Sequence, residues 1–192
     1  MGDPQPIHVE PLFATPLVID WPAELAARLP SLAMAIGRRG SSLASSVDVP
    51  PLVTYVRSLA SRMTEDVARA GRSIDWRISV TSRTAEDRHA VPIDPIYDAF
   101  WQALYIVEDG GADGRMILAD PRLPSPMMEM PDLRLRMQRG RDVSLYAPDI
   151  AIPVTAGTLL MMPGWMQGRW HPPSGPGQRS LLTMAIVAPL VG

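Results

Sequence analysis

The chain has 192 residues, 18 basic against 20 acidic side chains, and a net charge of −2. At 46% hydrophobic and 20% charged it sits near the globular average, which excludes disorder throughout and leaves no single-sign field to argue for nucleic acid or a membrane surface. No cysteine is present, so disulfides, cysteine-based zinc sites and thiol nucleophiles are excluded.

This length fits one domain over residues 1–192, large enough for one sizeable core. A metal could be held only by His, Asp or Glu, and the histidines are His8, His89 and His171. All 18 basic residues are Arg, and Lys and Asn are absent. Codon bias is the ordinary explanation; selection for bidentate anion-binding groups is the functional one. No apolar run reaches the length of a membrane span. The opening MGDPQPIHVEPLF has no basic stretch leading into an apolar one, so a cytoplasmic location is expected.

Residues 11–19 read as a short strand broken by Pro16, hence an edge strand. Residues 23–37 have a helical pattern, interrupted at Pro30 and ending near Gly37. Residues 38–51 are a loop by composition. Residues 52–70 make the strongest helix: Leu52, Val56, Leu59, Met63 and Val67 recur on one face, and Gly71 ends it. From Trp76 the pattern alternates and predicts a strand. Residues 99–107 suit a buried strand, 108–114 a turn and 114–120 the return strand of a hairpin. The Pro- and Met-rich residues 121–133 are irregular, and 134–142 carry four arginines on what reads as a solvated loop. Strands are expected at 149–154, 157–162 and 180–188, with a turn-rich loop between the last two.

Helices followed by short strands with Gly/Pro turns predict an α+β, mainly β domain. Its N-terminal part, 11–71, is an edge strand and helices packed on one sheet; its core, 76–188, is a double-sheet jelly roll or a barrel.

Several segments, in order, resemble the 2-oxoglutarate/Fe(II)-dependent oxygenases of bacteria. They are LFATPL, ALYIVEDGG with GRMILADPRLP, SLYAPDIAIPVTAGTLLMMPGWM, and QRSLLTMAIV. The resemblance covers about residues 11–20 and 76–188, and it rests on order and spacing, since DPR and PxW are common strings. It implies a jelly roll, the double-stranded β-helix, rather than a barrel, with Fe(II) and 2-oxoglutarate as cofactors and a two-His, one-carboxylate metal site. An Arg opening the last strand would hold the far carboxylate of the co-substrate, and Arg179 stands there.

The metal ligands do not carry over in place. Taking His89 as the first ligand puts the second at Val91; counting back from Tyr105 puts the first at Asp94 and the second at Ile96. Where the family has its distal His, three residues past Trp165, stands Gly168, with His171 three residues later. Two readings follow. His89, Asp94 and His171 form a displaced triad, and the protein hydroxylates a small molecule or peptide. Alternatively the triad is lost, no cofactor is used, and a catalytically inactive jelly roll serves as a binding or structural module. A third uses Asp94, Asp98 or His89 as acid or base. Trp76, Trp101 and Trp170 are candidates for a substrate pocket, with the core as their default role. Met161 and Met162 are expected in the core. Neither nucleic acid nor membrane is expected as a partner; an exposed edge strand leaves room for a homodimer.

Overall fold

A computed structural model describes residues 16–37, 49–64, 74–85, 90–111, 114–119, 149–172 and 177–188. The order of elements is β1 (Val18–Asp20), α1 (Ala23–Ala26), α2 (Leu29–Gly37), α3 (Val49–Arg62), β2 (Arg77–Thr84), β3 (Val91–Ile93), β4 (Trp101–Asp109), β5 (Arg115–Ala119), β6 (Asp149–Pro153), β7 (Leu159–Pro163), β8 (Gln167–His171) and β9 (Arg179–Val187). The strands form two sheets, a five-stranded one in the order β1-β7-β4-β9-β2 and a four-stranded one in the order β3-β8-β5-β6. All pairings are antiparallel. The expected double-stranded β-helix, with helices on one sheet, is the architecture found.

The side-chain period of two divides the large sheet between two cores. Trp101, Ala103, Tyr105 and Val107 of β4, with Leu182, Met184 and Ile186 of β9, face the helices. Leu52, Val56 and Leu59 of α3 and Leu32 of α2 complete that outer core. Leu104 and Ile106 of β4, with Leu181 of β9, face the other way, into the roll, where they meet Met116, Leu118, Ile152 and Trp170 of the small sheet. Met161 and Met162 are both fully buried, one in each core.

Several boundaries differ from expectation for local reasons. Helix α3 begins at Val49 because Pro50 and Pro51 lie in its first turn, where no backbone N–H is required. Met63 lies just past its end and is exposed; Val67 and Gly71 lie outside the described residues. The break in the first helical stretch falls at Ala27 and Arg28, and Pro30 sits in the first turn of α2. Strand β1 is an edge strand, paired only with β7, and residues 11–15 lie outside the described set.

The predicted hairpin is not one. Strands β4 and β5 belong to different sheets, because β7 and β9 take both edges of β4. The turn at Gly110 and Gly111, both with positive φ, therefore carries the chain from one sheet to the other. Two short strands were not predicted, β3 and, inside the expected turn-rich loop, β8, and they pair with each other. The segments 120–148, with the Pro/Met-rich and Arg-rich stretches, lie outside the described residues.

Candidate functional site

The sheets part between β2, the edge of the large sheet, and β3, the edge of the small one. On β2, Ile78 and Val80 pack toward the helices, so Ser79, Thr81 and Arg83 face the roll. Ser79 and Thr81 are exposed there, which marks the gap as an opening. Arg83 crosses it. Its guanidinium donates to Pro92 O at 2.6 Å and pairs with the Asp94 carboxylate at 3.5 Å. With side chains 36% and 68% exposed, this pair adds little stability, ~0–1 kcal/mol, but it ties the two sheet edges together.

Behind the opening stands the inner face of β9, where Arg179, Leu181 and Thr183 alternate inward. Thr81 faces Thr183 in register, and Arg83 faces Leu181. Arg179 is 5% exposed, its backbone carbonyl accepts from Ala85 N, and its side chain runs against Gly110, where a Cβ would lie 2.8 Å from Cγ and Nε. Arg179 thus stands at the start of β9, and Asp94 just past the end of β3.

The rest of the expected metal site is not assembled among the described residues. His89 lies outside them. The register pairs Ile93 with Gly168 and Val91 with Trp170, so His171 falls four positions along β8 from the place opposite Asp94, ~13 Å at strand spacing. Trp170 points into the roll, so His171 points to the opposite face. Its Nε2 is buried and makes no hydrogen bond. The register therefore sets Asp94 and His171 apart along β8. Val91 is buried in the roll's core, and Ile96 donates its backbone N–H to Gly164 O in the turn before β4.

A Cβ built on Gly168 would lie 2.5 Å from Ile117 O and 2.9 Å from Leu118 Cδ2. Strand β5 passes so close that no imidazole fits without moving its backbone. Among the described residues no three His, Asp or Glu side chains group so as to hold a metal ion. Asp94 is a donor described at this opening, and His89, expected beside it, lies outside the described residues.

The aromatic candidates separate. Trp76 and Trp101 belong to the helix-facing core, 1% and 4% exposed. Their indole N–H groups donate to Ser61 Oγ at 3.0 Å and to Thr64 Oγ1 at 2.8 Å. They do not face the opening. Trp170 faces the roll and is fully buried in its core. Asp98 is exposed on the turn before β4.

Two residues facing the roll were not singled out in the sequence. Gln102, on the inner face of β4, is fully buried, and Thr183 is 6% exposed. The signal was present: each is a polar residue inside an apolar strand, AFWQALYIV and SLLTMAIV.

No protein-family model matches the sequence, and no curated protein matches it. Solved structures do. The chain is similar to SnoN, a non-heme alpha ketoglutarate dependent epimerase from nogalamycin biosynthesis, at 14% identity and TM-score 0.56, over 90% of this chain and 78% of that one. It is similar to SnoK, a carbocyclase described in the same terms, at 13% identity and TM-score 0.56, over 90% and 80%. HygX from Streptomyces hygroscopicus, with nickel and 2-oxoglutarate bound, matches at 13% identity and TM-score 0.54, over 92% and 83%. At such identities the likeness is one of fold: the chain has the double-stranded β-helix of the non-heme 2-oxoglutarate/Fe(II) enzymes. Among the described residues no helix is long and apolar enough to cross a membrane.

Proposed function

We propose that this chain is a ligand-binding protein on the oxygenase fold, taking a small molecule into the opening between β2 and β3 without a metal held at β8. The observation that supports it best is Gly168, whose place the family resemblance gives to the distal imidazole and whose surroundings admit no side chain. Ser79, Thr81 and Arg83 put polar groups at the opening, which a specific ligand needs.

A second reading stays close behind: iron- and 2-oxoglutarate-dependent hydroxylation of a small molecule or peptide. Its support is the shared fold with HygX, which has been solved with nickel and 2-oxoglutarate and with iron, and the inward place of Arg179 on β9. In that reading His89, Asp94 and His171 are the ligands and Arg179 holds the co-substrate.

Anaerobic calorimetry with Fe(II) and 2-oxoglutarate separates the two, run on the parent chain beside His89→Ala and Arg179→Ala. The binding-protein reading expects no stoichiometric iron uptake and no effect of His89→Ala. One tightly bound iron per chain, weakened by His89→Ala and joined by 2-oxoglutarate that needs Arg179, overturns it in favour of the oxygenase.

A further inference from the structure

We infer that the inside of the opening is built for an uncharged ligand that donates a hydrogen bond, of amide or alcohol type. This rests on the ligand-binding reading above and names the chemical class it takes. Gln102 Nε2 donates to Met166 O at 2.6 Å and lies 3.4 Å from Gly164 O. Those carbonyls fix which way the amide points. Its Oε1 is left buried with no partner, and an amide oxygen can only accept.

Thr183 Oγ1 is also buried without a partner. Gln102 pairs with Ala185 and Leu104 with Thr183, so Gln102 and Thr183 are diagonal neighbours on the inner face, ~7–8 Å apart. The way in is lined with hydroxyls, since exposed Ser79 and Thr81 stand opposite Ala185 and Thr183. Trp170 Nε1, a donor in the same core, is buried without an acceptor too.

A carboxylate suits the Gln102 end badly, because it would set its oxygens against Gln102 Oε1, acceptor against acceptor. An amide suits it well: its N–H donates to Gln102 Oε1, and its carbonyl accepts from the Thr183 hydroxyl.

The test is saturation-transfer NMR on the full chain with acetamide and its isostere acetate. Acetamide is expected to take up saturation, acetate not, and Thr183→Val is expected to weaken acetamide about tenfold. Thr183→Val keeps the side chain's shape, and a melting temperature no lower than the parent's confirms that it folds; Thr183→Ser, which keeps the hydroxyl, should retain binding. Equal binding of acetate, indifference to Thr183→Val, or no binding of either probe overturns the inference, the last leaving only water on these groups. Repeating the titration with Fe(II) and with a chelator separates the two claims. Acetamide binding that requires iron defeats the metal-free reading and leaves the ligand class standing; metal-free binding of acetate does the reverse.

Discussion

A polar group buried without a partner lowers stability unless something meets it, and Tyr105 is one that no ligand is argued to reach. It is fully buried in the helix-facing core, and its hydroxyl has no hydrogen bond. Burial pushes its phenol up to about 12. Tyr55 is also raised to about 12, first by its hydrogen bond to Asp20. Both folded values lie above the unfolded value of 10.0, so their contribution is fully present below that pH and is lost as pH rises toward about 12. Tyr105→Phe should raise the unfolding free energy by about 1 kcal/mol near neutrality and soften the alkaline loss, read by denaturant melts across that range. A less stable variant would mean that the phenol has a partner. Gly168 gives the opposite expectation. Gly168→Ala puts a Cβ 2.5 Å from Ile117 O, so it should cost roughly 1–3 kcal/mol. An unchanged melting temperature would show that β5 yields, and would reopen β8 to a ligating side chain.

Among the elements, β3 is the one on which the opening depends. Only three residues long, it is held by β8 on one side and by Arg83 across the gap. Arg83→Met keeps the aliphatic stem and removes the bridge to Pro92 O and Asp94. Global stability should fall by less than about 1 kcal/mol, because the ion pair is exposed. The amides of β3 should nevertheless exchange faster, since local opening follows local contacts. Protection unchanged in β3 would show that pairing with β8 alone fixes this edge. The same elements show what the sequence could tell. Strands β4 and β9 were legible because a buried central strand is a nearly continuous apolar run. Strands β3 and β8 were not, because VPI and QGRWH are short, carry Pro or Gly, and become strands only through pairing with each other. For the same reason β4 and β5 read as a hairpin: sequence shows a turn between two apolar runs, but not which edges are already taken. At the site, the missing His was visible at Gly168, while the reason it cannot be replaced lies in the approach of β5. Gln102 and Thr183 were visible only as interruptions in apolar strands, since their orphaned atoms are a property of the packed pair of strands.

At the scale of the whole molecule, the large sheet is shared by two cores. Leu59 lies in the core between helices and sheet, and Ile106 in the core inside the roll, on the far side of β4. If the shared sheet couples the two cores, they melt together, and a cut in either is felt by the whole fold. Leu59→Ala should cost roughly 2–5 kcal/mol and Ile106→Val about 0.5–1.5 kcal/mol. The residues lie on opposite faces of the sheet, so the double variant should show the sum within about 0.5 kcal/mol, in one transition seen alike by tryptophan fluorescence and far-UV circular dichroism. A ligand held between Gln102 and Thr183 touches only the inner core, yet it should then raise the melting temperature of parent and Leu59→Ala alike, because binding to the native state stabilises whatever melts as one unit. If the Leu59→Ala variant instead melts in two steps, and ligand moves only the second, the roll holds together without its helices, and the site belongs to the roll rather than to the whole fold.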